Sequence, residues 1–342
     1  MLINIQDFIE FLRKTAQQGD QISQVVVPVR SEYADDTHTF FRPLTESNTP
    51  LFNSYRTVDP AKFLLYLPRE QVFPAEQTKN RILAGVKACD LKALELLDAA
   101  LLYDQFTDPA YKQWRDSTLI ITSDCDDISS SCHCNLVNGQ PFAENGYDLN
   151  LSQIKNDFLI TVGSDRGDKL LDRIKSEIKT RKASESQRMQ VEKQRKRIIE
   201  RLTGQNKPYS RSSHYEKLRT IDPAPWQDES MTCIGCGACT HICPTCYCLI
   251  LNDESKADQF IKQRSFDSCQ YNGYARVAGG ATPRPSMTER FRNRYLCKFD
   301  YMVHNFEKIG CTGCGRCTQA CAGEIDFRQV VHNLQNMAIA VQ

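Results

Sequence analysis

The chain has 342 residues, 41% of them hydrophobic, enough to bury a sizeable core and to form more than one domain. Its 43 basic and 42 acidic residues leave a formal charge of +1, so no overall basic field exists to attract nucleic acid or an anionic membrane. Sixteen cysteines in a chain too long for a small disulfide scaffold point to metal ligation in a reducing compartment.

MLINIQDFIEFLRK, at the N-terminus, places Ile5, Phe8, Ile9 and Leu12 on one face and carries acidic residues within its apolar run. That pattern predicts an amphipathic helix rather than a signal peptide. No stretch supplies the roughly 18 uncharged apolar residues of a bilayer span, so a cytoplasmic location is expected. Short runs rich in branched residues predict buried strands at 23–29, 63–67, 81–86, 117–122 and 158–162. Between them, DLKALELLDAALL (90–102) has helical spacing, with Asp90 placed to cap it. This alternation predicts an α/β N-terminal domain with a largely parallel sheet over residues 1–165.

Residues 166–221 interleave charges of both signs with scattered apolar positions, Ile178, Met189, Val191, Ile198 and Ile199 among them. They predict a charged, solvent-facing helical connector that ends in a linker, NKPYSRSSHYEKLR (206–219). Residues 222–342 hold the other twelve cysteines and predict an α+β bacterial-type dicluster ferredoxin domain with a 67-residue insert between two cysteine runs.

The first run is Cys233, Cys236, Cys239 and Cys243, and the second is Cys311, Cys314, Cys317 and Cys321. In this C-x2-C-x2-C-x3-C spacing three thiolates hold one cubane and the fourth reaches the neighbouring one. The expected ligand sets are therefore Cys233, Cys236, Cys239 and Cys321 for one 4Fe-4S cluster, and Cys311, Cys314, Cys317 and Cys243 for the second. Structural zinc also uses C-x2-C pairs, but it has no use for a regular four-cysteine run that occurs twice.

In the first half, Cys89 follows the strand RILAGV and Cys125 follows STLIIT, so both stand at C-terminal strand ends. In a parallel sheet those ends share the edge where ligands bind. Cys132 and Cys134, in SSSCHC, can fold back over that edge, and a third cluster on these four cysteines is expected. Cys246, Cys248, Cys269 and Cys297 remain, enough for a fourth metal site or else a buried, inert set of thiols.

The segments GVKACDLKALELLD (85–98), CDDISSSCHC (125–134), CIGCGACTHICPTCYC (233–248), DSCQ (267–270), AGGATPR (278–284) and CTGCGRC (311–317) run over nearly the whole chain. In that order they resemble the beta subunit of soluble hydrogenases (sulfhydrogenases) and its counterpart among the subunits of anaerobic sulfite reductase. The resemblance implies an iron-sulfur electron-transfer subunit of a cytoplasmic, anaerobic complex. Its implied partners are a flavin (FAD) subunit that handles NAD(P)H and a catalytic hydrogenase, sulfite reductase or heterodisulfide-reductase-type subunit. It also implies that Cys89, Cys125, Cys132 and Cys134 share a site. Cys297 departs from the pattern, since many relatives carry histidine there.

No dinucleotide fingerprint, P-loop or nucleophile-base pair is present, so no catalytic residue is assigned. The histidines, His38, His133, His214, His241, His304 and His332, are expected to pack or face solvent. Arg276, Arg284, Arg290, Arg292 and Arg294 are expected on a solvated surface, with cluster stabilisation or docking of an acidic partner as the alternative. Trp226, Tyr247, Phe291 and Tyr295 are expected in a core that shields the clusters. Two other function classes stand beside electron transfer: an N-terminal domain that itself reduces a small sulfur species, and a zinc-stapled structural protein.

Overall fold

The computed structural model describes the chain except for residues 20–21, 33–37, 75–77, 104–106, 210–214, 257 and 341–342, so His214 lies outside the described residues. In chain order the first part comprises β1 (Leu2–Asn4), α1 (Ile5–Gln18), β2 (Gln24–Arg30), β3 (Thr39–Pro43), α2 (Lys62–Leu65), β4 (Arg69–Phe73), β5 (Arg81–Val86) and α3 (Ala88–Leu101). It continues through α4 (Pro109–Asp116), β6 (Thr118–Ser123), β7 (Leu149–Ile154), β8 (Asp157–Val162), α5 (Asp165–Glu177), β9 (Thr180–Arg181) and α6 (Glu185–Gln205). The rest adds α7 (Pro223–Glu229), α8 (Ala238–His241), β10 (Leu249–Lys256), β11 (Gln259–Phe266), α9 (Met287–Leu296), α10 (Met302–Phe306), α11 (Arg316–Gln319) and α12 (Phe327–Ala340).

Eight strands form one sheet in the order β3-β2-β5-β6-β7-β8-β1-β9. Its centre, β2-β5-β6-β7, is parallel, and antiparallel strands extend it on both sides. Side chains alternate across it as a period of two requires. Val25, Val27, Ile82, Ala84 and Ile121 face α1 and α5, where Phe8, Leu12, Leu170 and Ile174 cover them. Val26, Leu83, Val86 and Ile120 face the opposite layer, filled by Leu91, Leu94 and Leu97 of α3 with Tyr66 and Tyr111. The α/β reading holds, as a mixed sheet with a parallel centre.

Four of the five expected runs are strands, but 63–67 is not. A short apolar run cannot be told from a buried helical turn by periodicity. Here Leu65 and Tyr66 fill the α3 layer from a single turn, while Lys62 points its ammonium at the carbonyls of His241 (3.2 Å) and Cys246 (2.9 Å). Asp90 is also not a cap. The N-cap of α3 is Lys87, and the Asp90 carboxylate pairs with Arg316 of α11 at 2.7 Å, both side chains 1% exposed.

The two halves interlock. Strand β4, from the first half, pairs with β11 of the insert hairpin to make a three-stranded sheet, with Arg264 opposite Glu70. The buried Arg264 guanidinium pairs with Glu70 and Asp108 and lies 3.9 Å over the Tyr66 ring. A second core contains Trp226, Phe291, Tyr295, Phe299, Phe327 and Leu334, with Tyr295 and Phe327 stacked at 4.6 Å, and Cys233, Cys311 and Cys317 pack against it. Among the described residues, no helix is long and apolar enough to cross a membrane.

Two helical glycines make opposite demands. A Cβ on Gly204, in α6, would meet nothing within 4 Å, whereas one on Gly167, in α5, would stand 1.8 Å from the Asp148 carbonyl oxygen. Gly204→Ala is expected to raise stability by up to about 1 kcal/mol. Gly167→Ala is expected to lower it by about 1–3 kcal/mol or more through backbone displacement. Denaturant unfolding of the two variants side by side checks both signs.

Candidate metal centre

Both ferredoxin-type runs build the same local structure. A loop carries the first two cysteines, a glycine with left-handed φ follows (Gly237 at 74°, Gly315 at 72°), and a single helical turn, α8 or α11, presents the third. Cys233, Cys236, Cys239 and Cys321 line one pocket. Cys311 has Cys317, Cys314 and Cys243 as electrostatic neighbours. The fourth cysteine of each run thus lies with the first three of the other. Burial pushes the Cys239 and Cys311 thiols up, and the Cys317 thiol up to about 12. Thiols this hard to ionise need a metal or a buried cation before they become thiolates.

Arg294 supplies one such cation. It is buried, lies over the Phe327 ring at 4.9 Å, and among the described residues it pairs with no carboxylate. Burial works against its charge, but Cys239, Cys317 and Cys243 outweigh that cost. The surface expectation therefore fails for Arg294. It fails for Arg290 too, which is buried and donates to the carbonyls of Gln270, Arg284 and Pro285. Both sit on the inner face of α9, which the insert wraps around the first run. Arg276 is exposed, and Arg284 and Arg292 are half-buried.

Cys89 and Cys125 stand at the C-terminal ends of β5 and β6, which are adjacent and parallel. Cys125 is an electrostatic neighbour of Cys89, and Cys134 has both Cys125 and Cys132 beside it. Burial raises all four thiols, Cys125 to about 12. Three features around this group escaped the sequence. Lys87, between strand and cysteine in GVKAC, is buried and donates to Phe52 O, Ser123 Oγ and Asp124 O at 2.7–2.9 Å. Helix α6 packs Ile198 and Leu202 on Cys132 and Cys134, and its Arg195 pairs with Asp124 at 2.8 Å. Gln205 and Asn206 then donate to the Cys132 carbonyl at 2.9 and 3.0 Å. Part of the connector is therefore a cover.

The strand-end loop and the second run touch backbone to backbone. A Cβ on Gly313 would lie 2.4 Å from the Cys134 Cα, and one on Gly315 would lie 2.3 Å from the Ser131 carbonyl oxygen. His133 N–H donates to Gly313 O at 2.8 Å, and Arg56 Nε donates to Cys314 O at 2.7 Å. Cys314 is accordingly a neighbour of both Cys89 and Cys132. The imidazole of His133 is buried, with Nδ1 2.9 Å from Ser131 O and Nε2 3.7 Å from Cys311 Sγ. His241 stacks on Phe266 and bonds Tyr271, and His304 lies against Asp300.

Cys246, Cys248, Cys269 and Cys297 line a separate cavity in the insert. Among the described residues, no three His, Cys, Asp or Glu side chains close in around a single metal ion. The cysteine groups instead surround gaps, an arrangement that suits ligands bound each to a different iron of a cubane.

Residues 232–325 match the family model described as a 4Fe-4S dicluster domain. The chain is also 29% identical, over 296 residues, to the Sulfhydrogenase 2 subunit beta of Pyrococcus furiosus, spanning 82% of this chain and 84% of that protein. The resemblance to hydrogenase beta subunits thus extends over most of the chain, and the dicluster domain supports at least two 4Fe-4S clusters and iron-sulfur electron transfer.

Gly313 tests the backbone contact. Its φ of 67° would cost an alanine on the order of 1–2 kcal/mol, before the clash with Cys134 is added. Gly313→Ala is expected to lose iron and thermal stability together. Gly273→Ala, where nothing lies within 4 Å, is expected to keep both. Iron per chain and thermal unfolding, measured anaerobically, report the difference.

Proposed function

We propose that the chain is the iron-sulfur electron-transfer subunit of an oxidoreductase complex, working between a flavin subunit that serves NAD(P)H and a catalytic hydrogenase or reductase subunit. Cys233, Cys236, Cys239 and Cys321 would hold one 4Fe-4S cluster, Cys311, Cys314, Cys317 and Cys243 a second, and Cys89, Cys125, Cys132 and Cys134 a third. Each cluster, when bound, supplies a one-electron redox centre whose potential depends on charge, burial and hydrogen bonds to sulfur.

The observation that carries this reading is the continuity of the three cysteine groups. Cys239 neighbours Cys243, Cys243 neighbours Cys317 and Cys311, and Cys314 neighbours Cys89 and Cys132. One end of this series approaches the surface. Cys236 is exposed, beside Met231 (80% exposed) and Ile234 (66%). Apolar side chains at a redox edge suit transient docking of a partner, whereas the strand-end group lies beneath α6. Protein groups do the tuning: Arg294 offsets thiolate charge, and Gly313 N–H donates to Cys311 Sγ at 3.4 Å. The partner assignment draws on the relative's description as a sulfhydrogenase subunit. We also keep the division into residues 1–165, 166–221 and 222–342.

A second reading has one observation in its favour. A cavity of about 210 Å³ opens beside Cys89 and Cys134, lined also by Lys92 and Thr312, and could admit a small sulfur species to the strand-end site.

The tests separate these readings. Anaerobically purified chain is expected to be brown, with iron-sulfur spectra, and to pass electrons between artificial donors and acceptors without turning over protons, sulfite or polysulfide. Turnover by this chain alone would favour the second reading, and a colourless preparation with stoichiometric zinc would defeat both. Arg294→Met, which removes a buried positive charge, is expected to lower the potential of the adjacent cluster in a redox titration, while Arg276→Met leaves it unchanged.

A further inference from the structure

Three groups of four account for twelve of the sixteen cysteines, leaving Cys246, Cys248, Cys269 and Cys297. They come from three separate pieces of the insert. Cys246 and Cys248 flank Tyr247 between α8 and β10, Cys269 follows β11, and Cys297 begins the π-helical turn that continues α9. All four line one cavity of about 420 Å³, together with Tyr274 and Lys298. That is more than ten times the roughly 30 Å³ share of a water molecule, far more room than inert packed thiols leave.

Contacts among the four are close. Cys248 is hydrogen-bonded to Cys269 and to Tyr274, and Cys297 faces Cys248 and Cys243. Cys246 is hydrogen-bonded to Cys243. Two buried ammonium groups converge on the same place. Lys298, 3% exposed, donates to Thr245 Oγ1 at 2.8 Å and to Cys246. Lys62, 2% exposed, reaches in from the first half to the Cys246 carbonyl. Among the described residues, neither pairs with a carboxylate. A buried cation without an anion is costly, and neutral thiols do not supply one. Metal-bound thiolates do.

We propose that Cys246, Cys248, Cys269 and Cys297 hold a fourth iron-sulfur cluster. The site stands beside Cys243. If the ligand sets given above are correct, the second cluster then has three neighbours: the first cluster through Cys239 and Cys317, the strand-end cluster through Cys314, and this one through Cys243. The cysteine groups would form a branched array rather than a line, and the insert would be the branch. The junction rests on the proposed function, but the site itself rests only on the cavity, its thiols and its buried lysines.

The experiment uses the full chain, purified anaerobically, with iron quantitation and peptide mapping of thiols alkylated by iodoacetamide before and after iron is stripped. About sixteen irons per chain are expected, with Cys246, Cys248, Cys269 and Cys297 protected until stripping. The double variant Cys248→Ser/Cys269→Ser is expected to lose about four irons and keep the rest. If that variant does not fold, mapping of the unaltered chain decides the matter. About twelve irons, with these four thiols alkylated while the other twelve stay protected, would overturn the fourth site and leave the three-cluster reading intact. Zinc bound at these four cysteines would overturn it as well, and a chain with no iron at all would overturn both.

Discussion

The Arg316–Asp90 pair holds the two halves of the molecule in the arrangement on which everything else depends. Arg316 lies inside the second cysteine run, CTGCGRC, and Asp90 directly follows Cys89. Their side chains, each 1% exposed, meet at 2.7 and 3.0 Å. The guanidinium also donates to the carbonyls of Thr57 and Val58 at 3.1 and 2.9 Å. A buried ion pair is often no more stabilising than apolar residues of the same volume, but breaking it leaves an uncompensated charge that costs about 3–5 kcal/mol. Its value here is positional. It fixes the run that carries Cys314 against the sheet edge that carries Cys89, and the glycine contacts at 313 and 315 follow from that approach.

Electrostatics then organises the cysteines. Burial alone would keep these thiols protonated, and the structure sets buried cations among them: Lys87 near Cys125 and Cys89, Arg294 near Cys239 and Cys317, and Lys298 near Cys243 and Cys246. Each of these cations carries a desolvation cost that only nearby negative charge offsets. The arrangement makes sense for a protein whose working state contains thiolates. It also gives the chain a means of setting redox potentials with its own side chains.

Much of this was legible in the sequence, for a physical reason. The ferredoxin-type spacing is short-range, since a loop of nine residues places three thiols together wherever it sits, and α8 and α11 repeat that geometry. The strand-end position of Cys89 and Cys125 was legible because RILAGV and STLIIT are unambiguous buried strands. What escaped depends on partners remote in the chain. FLLYL is one helical turn because Lys62 must reach Cys246, some 180 residues away. Asp90 answers Arg316 instead of capping α3. The charged connector hid a cover for the strand-end site because only Val191, Ile198 and Leu202 of α6 are buried, too few to stand out among its charges. Likewise Arg290 and Arg294 looked like surface residues until α9 turned them toward the first cysteine run.

The account's central claim is that the strand-end cysteines carry a redox centre in contact with the dicluster domain. Low-temperature EPR of the dithionite-reduced chain tests this most directly. The account predicts more than two iron-sulfur spins, with broadening and fast relaxation from magnetic coupling that simplify when Cys125 and Cys132 are replaced by serine. A spectrum of two spins only, unchanged by those substitutions, would contradict it.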